Sequence, residues 1–177
     1  MPRIPYVPAD LAEPREIVDA IRERRGGKLL DLDRMLLNSP ALASGWNTYL
    51  GAIRTQLTLS PKLRELAICG VAILNRAEYE FNQHSPHFLK GGGTTAQLEA
   101  LREFERASSN TLFDAAERAV IRLTIEMTRN VEVRDETFAA AAKVLGSEQA
   151  MVELVATIAT YNMVSRYLVA LDIHARS

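Results

Sequence analysis

The chain has 177 residues, 47% of them apolar and 24% charged, with a formal net charge of −1. This length suits one domain, residues 1–177, large enough to bury a core without cross-links. The near balance of charge excludes the concentrated basic field that nucleic acid or an anionic membrane surface requires, which leaves a small molecule or another protein chain as partner. Cys69 is the one cysteine, so no intrachain disulfide can form.

Residues 1–13 carry Pro2, Pro5 and Pro8 where a secretory leader would carry an apolar run. They are expected to form an extended arm lying on the domain or on a neighbouring subunit, in a cytoplasmic protein. Pro14 fits the first turn of a helix. Helical segments then follow one another, punctuated by Gly26-Gly27, Ser39-Pro40, Ser60-Pro61, Gly91-Gly92-Gly93, Ser108-Ser109-Asn110 and Gly146-Ser147, with no alternating segment of useful length for a strand. Ser60 is placed to cap a helix that starts at Pro61, and Asp114 with Glu117 three residues on reads as a capping box.

After Asp114, the residues Ala116, Ala119, Val120, Leu123 and Met127 recur at helical spacing, with Arg118, Arg122, Glu126 and Arg129 elsewhere, as on an amphipathic surface helix. The segment 148–171 is apolar around most of its circumference, which points to a central helix or a subunit interface. The longest apolar run, Leu66 to Leu74, is about half of what a bilayer-spanning helix needs, so no membrane span is expected.

Chemistry concentrates in residues 64–84. Glu80 and His84 stand four apart, on one face of a helix and within hydrogen-bonding reach. A carboxylate beside an imidazole raises its basicity and fixes its tautomer, which suits proton transfer near neutral pH. Glu65 belongs to the preceding helix, across a junction at Asn75-Arg76, and packing can bring it to the same place. The same spacing also occurs in plain solvated surface pairs. Tyr79 and Phe81 flank Glu80, as pocket wall or as ordinary core.

His87 extends the series to i, i+4 and i+7, a pattern open to a metal, but Pro86 argues against a straight helix through it, and no metal site is expected. Arg166 lies in the apolar terminal segment, and a buried guanidinium there needs a carboxylate from Glu65, Glu80, Glu153 or a ligand. Gly91-Gly92-Gly93 lacks the Lys and Ser/Thr of a phosphate loop and reads as a helix stop.

The blocks Ser39-Pro40-Ala41-Leu42, Leu63 to Ile68, Ala77 to His84, Phe113 to Val120, and Tyr161 to Arg166 stand in this order along the chain. Together they resemble the carboxymuconolactone decarboxylase-like family in its long single-domain form. The resemblance implies an all-α fold of the alkyl hydroperoxidase D-like type, a bundle of about eight helices assembled as trimers, hexamers or dimers, with no organic cofactor. In the peroxidase branch a Cys-x-x-Cys pair opens the helix bearing the site histidine; by position that histidine matches His84, the relay glutamate Glu65, and the two cysteines Ala77 and Glu80. Peroxide reduction through a dithiol is therefore disfavoured, since Cys69 is a poor substitute. The decarboxylase branch implies a lyase acting on a small carboxylated or lactone-type compound, with His84 as acid, Glu80 as its orienter, Glu65 as second relay member, and Arg166 and Tyr79 against the substrate. A non-catalytic helical oligomer or ligand-binding protein is the remaining alternative.

Overall fold

In a computed structural model of the chain, residues 2–174 are described. Among them no strand occurs; the fold is all-α, with ten α-helices and one 3-10 turn. The surplus over the expected number comes from short pieces of six residues or fewer. No helix among the described residues is long and apolar enough to cross a membrane. Contacts divide the described chain into two compact units, residues 2–57 with 170–174 and residues 58–169.

The first unit holds α1 (Arg15–Arg25), α2 (Asp31–Leu36) and α3 (Pro40–Thr55). Pro14 takes the capping position just before α1 rather than its first turn, and α1 stops at Gly26, whose left-handed φ of 71° lets its N–H return to the last turn. Val18, Ile21, Trp46, Leu50 and Ile53 are buried here. Asp33 is buried between the guanidinium groups of Arg24 and Arg25, and its second oxygen accepts from the Leu30 N–H. The proline-bearing arm is non-helical and is held by hydrogen bonds: Arg34 donates to the Val7 carbonyl, Val7 N–H to the Arg34 carbonyl, and Asn38 to the Pro5 carbonyl. Prolines have no N–H to donate, so the arm is tied down through the Pro5 and Val7 carbonyls and the Val7 N–H.

The second unit holds α4 (Pro61–Leu74), α5 (Glu78–Lys90), α6 (Thr95–Ala100), a 3-10 turn (Leu101–Glu103), α7 (Phe104–Ala107), α8 (Ala115–Arg129), α9 (Asp135–Leu145) and α10 (Glu148–Ala170). Its core is α4, buried on every side from Glu65 to Ala72 and packed against α5, α7 and α8. A helix apolar all round has no face to give to water. Gly70 makes one of these contacts possible: a Cβ there would overlap the ring of Phe104, which lies directly on the α4 backbone. Ser60 precedes Pro61 as expected, but its side chain makes no capping bond. Asp114 and Glu117 do form the capping box of α8.

α8 departs from the surface helix expected. Glu117, Ile121, Thr124, Glu126 and Thr128 are buried along with the apolar stripe. Glu126 survives burial because Arg134 and the Thr137 hydroxyl both donate to it, and so does the Arg134 backbone N–H, tying α8 to the start of α9. These bonds overcome the upward push of burial and hold its carboxyl below the ordinary range.

Candidate active site

α4 presents Glu65 on the turn before its apolar run. Residues 75–77 reverse the chain, with Arg76 at a positive φ of 58°, and α5 returns alongside α4 carrying Glu80 and His84. Pro86 does not break α5, which runs unbroken to Lys90. The carbonyl that Pro86 leaves without a donor belongs to Asn82, an exposed residue with water at hand.

Glu65, Glu80 and His84 meet. His84 Nδ1 lies 2.5 Å from Glu65 Oε2, and His84 Nε2 lies 3.0 Å from Glu80 Oε1. All three are buried, at 2%, 5% and 2% exposure, so a surface ion pair is ruled out. An imidazole with a carboxylate oxygen at each ring nitrogen is best satisfied as the imidazolium, which donates on both sides. Burial alone would lower the basicity of His84, but the hydrogen bonds to Glu65 and Glu80, with their charges, outweigh it and push the imidazole above its ordinary value.

The two acids differ. Glu65 is committed on both oxygens, with Oε1 accepting from Arg64 Nε at 3.2 Å and Oε2 facing His84. Glu80 uses Oε1 for His84, and its Oε2 is buried with no hydrogen-bond partner. A buried carboxylate oxygen left bare carries a desolvation cost of about 1–3 kcal/mol or more. Tyr161 of α10 packs its ring edge-on against His84, centroids 5.0 Å apart. His87 is exposed, with its ring 5.8 Å from that of His84.

Of the residues expected at the site, Glu65, Glu80 and His84 converge, and Tyr79 is buried on α5 directly before Glu80. Arg166 is a correction. It is exposed rather than buried, donates to Asn162 Oδ1, and has no carboxylate at ion-pair distance among the described residues. Its long side chain reaches water from α10, so it needs no buried counter-charge. Glu153 instead accepts from Thr58, the Leu59 N–H and Gln149. Arg64 and Tyr161 were not singled out from the sequence. Arg64 is the immediate neighbour of Glu65, and a tyrosine inside an apolar helix is itself a signal, because its polar tip needs a destination.

Cys69 lies one turn along α4 from Glu65 and is fully buried. Burial first, then the charges of Glu65 and Glu80, push its thiol far above the ordinary range. It is held as a neutral thiol, the opposite of an activated nucleophile.

Residues 40–126 match the carboxymuconolactone decarboxylase family. Over this stretch the chain resembles that family. The matched stretch contains Glu65, Glu80 and His84. No curated protein matches this sequence. Among solved structures, a peroxidase-related protein from Silicibacter sp. TM1040 is similar at 15% identity and a TM-score of 0.80, covering 99% of this chain and 91% of its own. The debrominase Bmp8, as a cysteine-to-alanine variant in complex with 2,3,4-tribromopyrrole, is similar at 19% identity and a TM-score of 0.80, covering 100% and 95%. Its apo form is similar at 20% identity and 0.75, covering 96% and 91%. At such identities these likenesses establish the fold, which is of the alkyl hydroperoxidase D-like type.

Proposed function

We propose that this protein is a carboxymuconolactone decarboxylase-like enzyme that moves a proton on a small carboxylated or lactone-type compound, through a relay of Glu65, His84 and Glu80. The observation that carries this reading is the buried carboxylate–imidazole–carboxylate array in which every nitrogen and oxygen is engaged except Glu80 Oε2. Decarboxylation breaks the bond between a ring carbon and its carboxylate; CO2 leaves and the electron pair passes into the neighbouring carbonyl as an enolate. The carbon then needs a proton. His84 supplies it, and because Nδ1 is taken by Glu65, the proton leaves from Nε2 by way of the Glu80 carboxyl, whose Oε2 has no other task. Glu65, fixed in turn by Arg64, keeps the imidazole oriented and charged. The similar debrominase holds a small ring compound, which supports a substrate of that size here.

Dithiol peroxide reduction is not supported, since Ala77 and Glu80 stand at the cysteine positions and the Cys69 thiol is kept protonated. The test is CO2 release from carboxy-lactones such as carboxymuconolactone by the purified protein. Turnover by the wild type that drops at least about 100-fold in Glu80→Gln and in His84→Gln, the scale of a lost general acid, supports the relay. Turnover unchanged by either substitution, or none on any carboxy-lactone, overturns it.

A further inference from the structure

The side of α10 away from Tyr161 and His84 has no charge along most of its length. Val152, Ala159 and Met163 are exposed, Val152 at 67% and Met163 at 42%, while Val155 and Ala156 are half-buried. They recur at three- and four-residue steps and form one line along the helix. Between Gln149 and Arg166, every residue of α10 that reaches solvent is Ala, Val or Met. Single exposed apolar residues are ordinary, but an unbroken line of them marks an interaction surface.

The charges at its two ends indicate what covers it. Glu148 and Arg166 are eighteen residues apart, which is five full turns at 3.6 residues per turn, so they stand on the same line as the apolar residues. Both are exposed, and neither has an ion-pair partner among the described residues. Each lies about 14 Å from the midpoint of the line, at 1.5 Å per residue. Two copies of α10 laid antiparallel about that midpoint bring each Glu148 level with the other copy's Arg166. The same register sets Val155 against Ala159 and Val152 near Met163. A parallel arrangement puts like charges side by side and is disfavoured.

We infer that this face of α10 is where a second copy of the chain docks, antiparallel and two-fold symmetric, with a small-residue centre at Ala156 and Ala159, apolar flanks at Val152, Val155 and Met163, and two Glu148–Arg166 pairs closing the ends. A two-fold contact is self-complementary, so one line of side chains serves both partners. Alanines at the centre let the helix axes approach to the 8–10 Å of ordinary helix packing.

Sedimentation equilibrium of the full chain tests this. The wild type is expected at twice the chain mass, or at a larger even multiple. Ala159→Glu buries a charge at the centre and is expected to raise the dissociation constant at least about 100-fold. Glu148→Arg and Arg166→Glu are each expected to weaken assembly by about tenfold, and the double variant to return to within about threefold of the wild type, the signature of a direct pair. Should Ala159→Glu fail to fold by circular dichroism, the charge-reversal set still decides. A wild type that stays monomeric at about 100 μM, an assembly with an odd number of copies, a folded Ala159→Glu that assembles normally, or a double reversal no better than the single ones overturns the inference.

Discussion

The Nδ1 atom of His84, on α5, lies 2.5 Å from the Oε2 atom of Glu65, on α4. The contact joins residues nineteen apart in the chain and lies wholly out of water, so burial and hydrogen bonding pull the imidazole in opposite directions. Replacing Glu65 with Gln removes a charged acceptor while leaving the volume unchanged. With one upward contribution gone, burial gains ground, and the His84 titration is expected to move down. Nitrogen-15 NMR of the imidazole reads this directly; a midpoint that stays put or rises argues against Glu65 as the partner that holds the charge.

The same group sets a pH dependence of stability. The folded state raises the His84 pKa above its ordinary value of 6.5, so the charged form binds its proton more tightly in the folded chain than in the unfolded one. Stability from this source is fully present below pH 6.5 and is lost as pH rises through the elevated folded value. Thermal unfolding of wild type and His84→Gln across pH 5 to 9 is expected to show a difference in Tm that favours the wild type most at the acid end and shrinks towards the alkaline end. A gap that widens with rising pH contradicts the assigned direction.

The candidate site is legible from residues 64–84 because Glu80 and His84 share a helix and their spacing fixes their distance. Glu65 needed the additional inference that Asn75-Arg76 turns the chain back, and the positive φ of Arg76 bears that out. Arg166 reads as buried from the sequence because the apolar residues of α10 cover both a buried face and an exposed line, which composition does not distinguish. Glu126 reads as a surface charge for a related reason: its partners, Arg134 and Thr137, lie beyond the helix end, where periodicity carries no information.

Gly70 is expected to resist even the smallest side chain. Alanine gains about 1 kcal/mol of helix propensity over glycine, but its Cβ would occupy the space of the fully packed Phe104 ring. Overpacking of this kind costs about 1–3 kcal/mol, occasionally more, so the clash outweighs the propensity. Gly70→Ala should lower Tm, at roughly 2–4 °C per kcal/mol for a chain of this size. Adding Phe104→Leu should recover part of the loss. A Gly70→Ala variant more stable than the wild type would show that Phe104 moves aside freely.

Cys69 offers a chemical probe of the same interior. Thiol-directed reagents react with the thiolate, and this thiol is held neutral by burial and by the two neighbouring carboxylates. Alkylation by iodoacetamide at pH 7.5 is therefore expected to be slower than that of an exposed cysteine by at least about 100-fold, and to reach the exposed rate once the chain is unfolded in urea. Glu80→Gln removes one of the charges that oppose ionisation but leaves the burial, so labelling should rise only modestly. Consumption of hydrogen peroxide by the folded protein should likewise stay at background, with or without Cys69→Ser. Fast labelling of the native wild type would mean that the Glu65 side of α4 opens to solvent, and a peroxide activity abolished by Cys69→Ser would replace the proton relay with thiol chemistry.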